Sequence, residues 1–546
     1  MNKEGEIIAK TKNDSLVSKK LNTGETINSF PKKKIMLVLP NHNWASKVES
    51  HTMWVLWPTQ LCLLAAQIDD KYDVKIVDCI IDNLSEKEFS EIVKKEEPDL
   101  VGISNFTHEY NKAGHKAADI VKDVDPSIIT VMGGVYVIGT PELALENINV
   151  DYAIRGEAEI LIKDFLAYLY EGKELPNKGI VYRKNGKVIV SPMSDFIPDL
   201  NTLKLPAYHL IDFMKYANRY QRETIDGPRK LPFARVQMTR GCPIGCTFCQ
   251  VESISGKPIR YKSAEYMVRE METLINDYGV KFFIFDDDNL FLHRNKVKEM
   301  LKIIIKRKLN IQWLPMTTGM FCLDDELIDL CAESGCVWLD LALESGSQRV
   351  LNEIIKKPVD LSKVTQMAKK IKSVGIDLSA HFVIGCPGET WNEVLQSINL
   401  ASELDVDYVK FNIWTPLPDT KMYDMAKEMG YVDDKYFNKP ISWMSGIDTP
   451  EWRYKDLLML RTYEWDRINF SDPKRKKKIM EMMNMSEKRL DEIRKATLEK
   501  ANPSDTPATN SSKVNLYLDI TPVEEIPSNS ISSDKEMENK TEIPLF

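Results

Sequence analysis

The sequence predicts an α/β protein: an N-terminal doubly wound, flavodoxin-like parallel sheet, then a (β/α)6 partial TIM barrel, with a small helical C-terminal region. Three observations predict it. Short β-branched runs alternate with helical segments between residues 35 and 154. The same rhythm resumes at residue 234 and repeats six times, as a parallel barrel requires. Beyond residue 430 the strand-like runs stop and helical, aromatic-rich sequence takes over.

Residues 1–30 are polar and rich in Lys and Asn, and read as a flexible leader. The first domain, residues 31–165, carries expected strands at 35–39, 74–77, 100–104, 128–132 and 152–154, with helices at 60–69, 86–95 and 110–122. Such a sheet takes ligands at the carboxyl ends of its strands. Its first strand runs into Pro40-Asn41-His42-Asn43-Trp44 without Gly-x-Gly-x-x-Gly, which disfavours a dinucleotide site. Glycines gather at the later strands instead: Gly102 near Ser104, Gly133-Gly134, and Gly156 before Glu157. Residues 166–230 read as a linker laid over a surface, with a hairpin turned at Asn185-Gly186 and prolines at 198, 206 and 228.

The barrel domain, residues 231–430, has expected strands at 234–238, 282–285, 313–317, 337–343, 380–384 and 408–414, bridged by helices such as 264–275. Chemistry in a parallel barrel sits at the C-terminal strand ends. The first of these ends carries Arg240-Gly241-Cys242-Pro243-Ile244-Gly245-Cys246-Thr247-Phe248-Cys249, a C-x3-C-x2-C loop with no second knuckle elsewhere. Three thiolates are one ligand short of a closed zinc or iron–sulfur site. On a cubane they leave one iron open to a substrate or cofactor. The second strand ends in Asp286-Asp287-Asp288-Asn289, three acids that repel one another unless a cation is bound or the loop is hydrated. The fourth ends in Glu344-Ser345-Gly346-Ser347, and the fifth in Gly385-Cys386-Pro387-Gly388-Glu389-Thr390, whose small residues allow close backbone approach to a ligand.

Residues 431–501 read as a helical capping region containing Trp443, Met444, Trp452, Tyr463, Trp465 and Phe470, a stripe more typical of core than of a pocket; 502–546 reads as a disordered tail. A hydrophobic content of 43% and a charged content of 28% are ordinary for a globular protein, and a net charge of -8 argues against a nucleic-acid partner. No apolar run reaches the roughly 18 residues of a membrane helix, and the first residues lack a signal-peptide core, so a cytoplasmic location is expected. The other six cysteines read as reduced, buried hydrophobes.

With Phe248 before its last cysteine, the loop resembles the radical SAM superfamily. That resemblance implies that Cys242, Cys246 and Cys249 hold a 4Fe-4S cluster, whose fourth iron chelates S-adenosylmethionine for cleavage to a 5'-deoxyadenosyl radical. It implies cofactor contacts from Phe248, from Asp287 and Asp288 at the ammonium, from Glu344 and Ser345 at the ribose and carboxylate, and from Gly385, Pro387 and Gly388 at the adenine. The first domain, with its aromatic, Pro-containing segment 54–61, resembles the cobalamin-binding domain of one large class of that superfamily. Gly102, Ser104, Gly133, Gly134, Gly156 and Glu157 would then hold the corrinoid. The Asp-x-His-x-x-Gly signature of many cobalamin domains is absent, as is common in that class, and His42 is the only histidine at the first strand end.

The implied function is that of a cobalamin-dependent enzyme of the class B radical SAM methyltransferase type. It would methylate an unactivated carbon of a small-molecule, lipid or peptide substrate through methylcobalamin, with flavodoxin or ferredoxin as electron donor. No general acid or base is assigned. Ring formation, rearrangement or oxidation without net methyl transfer is a second enzyme reading, and a non-catalytic cobalamin or redox sensor a third. A methylthiotransferase is disfavoured, because its first domain would need three further cluster cysteines and only Cys62 and Cys79 are present.

Overall fold

The computed structural model describes residues 32–44, 57–106, 111–218, 227–433, 436 and 446–501. The expected leader and tail, residues 54–56, Trp443 and Met444 lie outside the described residues.

The first sheet has seven strands: β1 Lys34–Leu39, β2 Asp73–Asp78, β3 Leu100–Ser104, β4 Ile129–Gly133, β5 Tyr152–Ile154, β6 Ile180–Lys184 and β7 Lys187–Val190. Their order is β2-β1-β3-β4-β5-β6-β7, and β1 to β5 run parallel. In β1 every residue after Lys34 is buried, because helices cover both faces of a parallel sheet. The winding reverses between β1 and β3, the switch point at which such sheets open a crevice.

The expected hairpin forms as β6–β7, but it belongs to the sheet and not to a linker laid over a surface. It extends the sheet antiparallel to β5, pairing Ala153 with Val181 and Ile154 with Ile180. β5 has three residues and would otherwise be an open edge. The following segment is likewise interior, not surface: Tyr208, Phe213 and Tyr216 are buried. Trp57 of the first domain packs at 5.3 Å from Phe213 and 5.2 Å from Phe233 of the barrel, so one continuous core joins both lobes. The Tyr216 hydroxyl donates to Asp78 at 2.8 Å and that of Tyr208 to Glu270 at 3.1 Å.

The barrel begins with β8 Phe233–Val236, followed by a two-stranded antiparallel clip, β9 Thr239–Arg240 and β10 Arg260–Tyr261. Next come β11 Phe282–Phe285, β12 Gln312–Pro315, β13 Trp338–Glu344, β14 Asp377–Ile384 and β15 Tyr408–Ile413. Parallel pairing joins β8-β11-β12 and β13-β14-β15, and bridges from Trp313 to Cys336 and Thr318 to Leu341 connect the two groups into one curved wall. The six expected strands are all present.

The free edge of β15 is sealed by helix Tyr454–Phe470. Asn469 accepts from Val409 N at 2.8 Å and donates to Val409 O at 2.9 Å, while Arg461 Nε donates to Phe411 O at 2.9 Å. Trp465 is buried and donates to Tyr408 Oη at 2.9 Å. This helix closes the side of the barrel and satisfies an edge that lacks a seventh strand. Among the described residues no helix is long and apolar enough to cross a membrane.

Candidate functional site

The cysteine loop leaves β9 at Gly241, whose φ of +89° and whose Cβ, if present, would stand 2.5 Å from Pro258 O. Only glycine fits there. Cys242 N donates to Gly256 O at 3.0 Å, Cys249 N to Cys246 O at 3.1 Å, and Val251 N points at Cys249 Sγ at 3.5 Å. Between the second and third cysteines, Thr247 donates its N–H to Ile355 O at 2.9 Å and its hydroxyl to Ile354 O at 2.7 Å. Phe248 packs into the apolar group of Val350, Ile354, Val383 and Cys386. All three thiols are free and half-buried. Burial pushes Cys246 up to about 12 and Cys249 up to about 11, so a metal must displace tightly held protons. Among the described residues no three His, Cys, Asp or Glu side chains converge on a single ion. A cubane, whose ligands bind separate irons, needs no such convergence.

The three acids after β11 escape repulsion by taking separate partners. Asp286 pairs with Arg235 through two hydrogen bonds. Asp287 Oδ1 accepts from Met238 N at 3.0 Å and from Thr239 Oγ1 at 2.7 Å, and Asp288 Oδ2 accepts from Gly241 N at 2.8 Å. Asp287 and Asp288 therefore brace the root of the cysteine loop. Burial, reinforced by the Asp288 charge, pushes the Asp287 carboxyl up to about 7, and its Oδ2 is buried with no hydrogen-bond partner among the described residues.

At the exit of β13, Glu344 holds a positive φ of +68° and pairs with Lys357 Nζ at 2.5 Å. Ser345 is turned away from the mouth: it is fully buried, 3.3 Å from Ser397 Oγ, and accepts from Ser347 N at 3.1 Å. At the exit of β14, Gly385 N and Cys386 N donate to Glu389 Oε2 at 2.7 and 2.9 Å. Burial pushes Glu389 up to about 8, and its Oε1 has no hydrogen-bond partner among the described residues. Pro387 is buried; Gly388 is exposed with a φ of +82°. After β15, Asp419 holds a φ of +57°, a conformation glycine adopts freely.

The rim of the first sheet is built from backbone. A Cβ on Gly133 would meet nothing within 4 Å, whereas one on Gly134, at φ +103°, would stand 2.3 Å from Asn105 O. Ser104 lies beside Gly133 in register, and Gly102 lets Leu37 approach β3 closely. Gly156 and Glu157 do not share this rim. A Cβ on Gly156 would stand 2.2 Å from Ser194 Oγ. Glu157 pairs with Arg240 at 3.2 Å and Arg260 at 2.7 Å, and Glu159 pairs with Arg240 at 2.6 Å, all four side chains being only 7–8% exposed. Burial alone would raise the Glu157 carboxyl, but the Arg260 hydrogen bond and the Arg240 charge hold it below its ordinary value. This cluster bolts the exit of β5 to both roots of the cysteine loop. His42 is buried beside helix Asn111–Val124, and burial lowers it to about 4, so it is neutral at pH 7.

The two rims face each other. Helix Val135–Gly139, which follows Gly134, packs against helix Val251–Ser255, which follows Cys249. Below the mouth, the concave face of the barrel carries polar groups where barrels of this kind usually pack branched apolar ones. Ser379 donates to Asp340 Oδ1 at 2.5 Å, Lys410 Nζ lies 3.4 Å from Asp340 Oδ2, and Asn412 Nδ2 lies 2.9 Å from His381 Nε2. Sequence reasoning missed Glu159, Arg260, Lys357 and this inner wall. For the wall a signal existed, since Asp340, Ser379, His381, Lys410 and Asn412 alternate with apolar residues along β13, β14 and β15.

Residues 236–401 match the model of the radical SAM superfamily, and residues 55–166 match that of the B12 binding domain. An uncharacterized methyltransferase, PH0819, of Pyrococcus horikoshii is 33% identical over 395 residues, covering 72% of this chain and 83% of its own. The cytidylyl-2-hydroxyethylphosphonate methyltransferase of Streptomyces wedmorensis is 28% identical over 444 residues, covering 72% of this chain and 82% of its own. The radical S-adenosylmethionine methyltransferase TsrM from Kitasatospora setae, solved with tryptophan and a SAM analogue, shares the fold at a TM-score of 0.59 and 18% identity, covering 73% of this chain and 77% of that one.

Proposed function

The chain belongs to the radical SAM enzymes that carry a B12-binding domain, and from that premise we propose that it transfers a methyl group to an unactivated carbon of a small substrate held in the barrel. Its cofactors are a 4Fe-4S cluster, S-adenosylmethionine and cobalamin. The observation that carries the reading is the three-thiol loop, one ligand short, whose following helix Val251–Ser255 packs against helix Val135–Gly139 at the glycine rim of the first sheet.

The residues present fit these groups. Cys242, Cys246 and Cys249 would hold the cluster. Asp287 Oδ2 after β11 and Glu389 Oε1 after β14, each buried without a hydrogen-bond partner among the described residues, are acceptors or neutral donors left for the methionyl and adenosyl groups of SAM. The open face at Gly133, backed by Gly134 and Asn105, would admit the corrinoid. When bound, cluster and SAM supply a 5'-deoxyadenosyl radical and the corrinoid supplies the methyl group. The protein orients these groups and excludes water through the buried Glu157–Arg240–Arg260 seam. Substrate would lie against Asp340, His381, Lys410 and Asn412, beneath the mouth. A flavodoxin or ferredoxin would deliver the electron. The oxygen-sensitive cluster favours a reducing, cytoplasmic setting.

The test is anaerobic reconstitution of the full chain with iron, sulfide and hydroxocobalamin, then assay of deoxyadenosine and S-adenosylhomocysteine formed from SAM. One cubane, one corrinoid and both products are expected. Cluster and deoxyadenosine without retained corrinoid would sink the methyl-transfer reading.

A further inference from the structure

Lys357 is a charged side chain that neither the cysteine motif nor the strand pattern accounts for. It is 9% exposed and lies in the barrel mouth. A π-helical turn, Val350–Ile355, and a left-handed Lys356 at φ +61° deliver it there, and Lys357 N closes the turn on Leu351 O at 3.0 Å. The same turn binds the cysteine loop, because Ile354 and Ile355 carbonyls accept from Thr247, the residue after the second cysteine. Burying an ammonium is costly unless it is paired, and the pair is Glu344 at 2.5 Å, itself held in a strained conformation. Strain and burial at one point indicate a role beyond packing.

The pair stands beside the cysteines: Lys357 works to lower all three thiols, and Glu344 works to raise Cys246. The ion pair with Glu344 at 2.5 Å keeps the Lys357 ammonium charged despite its burial.

We propose that Lys357, oriented by Glu344, is a positioning residue for charge: a fixed cation beside the cluster that raises its reduction potential and eases entry of the electron. The inference rests on the reading that the three cysteines hold the cluster. Reduction adds one electron to the cluster and no atoms; the electron comes from an external low-potential donor. A buried cation stabilises the more negative form, and with little solvent to screen it the effect exceeds that of a surface charge. Glu344 tempers it, so the two residues have opposite signs.

The experiment is an EPR-monitored redox titration of reconstituted full-length protein without SAM, which separates cluster tuning from any contact with bound SAM. Lys357→Met is expected to lower the midpoint potential, Glu344→Gln to raise it, and Lys357→Arg to restore the wild-type value, with iron content unchanged. Full cluster loading with a Lys357→Met potential equal to wild type, or shifts of the same sign for Lys357→Met and Glu344→Gln, would overturn the proposal. Should Lys357→Met fail to load, Glu344→Gln decides it: a raised potential supports the proposal and an unchanged one overturns it. A wild-type chain that takes up no iron instead removes the parent reading, and this one with it.

Discussion

The two rims that face each other are built from opposite materials. The barrel mouth is crowded with charge: Asp287, Asp288, Glu344 and Arg240 lie within a few residues of a strand end and Lys357 enters from the turn after β13, each held by a named partner. The rim of the first sheet at β3 and β4 is nearly bare, shaped by Gly133, Gly134 and the Asn105 backbone. A cluster ligand site needs fixed sulfurs and fixed charge, whereas a broad planar group is held by shape and backbone. The lesson is that substitutions at the mouth should act through electrostatics and those at the sheet rim through space.

The largest expected effect comes from breaking the mouth itself. Cys246→Ala removes one of the three proposed cluster ligands and should reduce deoxyadenosine formation below detection, while corrinoid retention, read by absorbance after gel filtration, persists. Loss of corrinoid in the same variant would show the two rims to be a single site. Next is the seam between them. Arg240→Met leaves Glu157 and Glu159 buried without one of their cations and should cost about 3–5 kcal/mol in denaturant unfolding. An unchanged midpoint would mean that solvent reaches this seam.

The glycine pair sharpens the contrast on the other side. Gly134→Ala drives a Cβ into the Asn105 carbonyl and should destabilise the protein by about 1–3 kcal/mol. Gly133→Ala should leave thermal stability within about 0.5 kcal/mol. It should nevertheless weaken corrinoid binding by about tenfold, or 1.4 kcal/mol, because its methyl occupies the open face. Equal affinity for wild type and Gly133→Ala would place the corrinoid elsewhere.

The smallest effect is the pH dependence of the cofactor-free protein. Asp287 and Glu389 have folded-state values raised by burial to about 7 and about 8, above those of unfolded carboxylates near about 4. The folded state therefore holds their protons more tightly than the unfolded chain. Their contribution is fully present below about pH 4 and is lost as pH rises through 7 for Asp287 and 8 for Glu389. Asp287→Asn and Glu389→Gln should each flatten the decline of stability over that range. A slope identical to wild type in both variants would show these acids to be ionised in the folded state.

Much of this architecture was legible in order along the chain. Strand runs such as Lys34–Leu39 and Phe282–Phe285 are apolar because both faces are covered, by helices on either side of the first sheet and by helices and the barrel interior in the second lobe, so their composition announces them. The cysteine loop and the Gly-x-Pro-Gly-Glu-Thr turn are local, and local spacing suffices to find them. Other features were misplaced. The segment bearing Tyr208, Phe213 and Tyr216 reads as a proline-punctuated connector, yet its aromatic residues fill the joint between the lobes. Ser345, next to Glu344 in the same motif, points into a buried serine network, because the positive φ at Glu344 turns the chain there.

By itself the sequence determined two α/β lobes in this order, the three-thiol loop at the first barrel strand end, and the glycines of the sheet rim. Each is set within a window of roughly ten residues, where backbone preference and side-chain spacing act directly. Only the tertiary structure decided the partners: Glu157 with Arg240 and Arg260, Asp287 with Thr239, and the helix Tyr454–Phe470 on the free edge of β15. It also placed Lys357 on Glu344, thirteen residues apart across a π-turn. Those pairings join residues distant along the chain, so they depend on how strands and helices pack, and no local pattern in the chain encodes them.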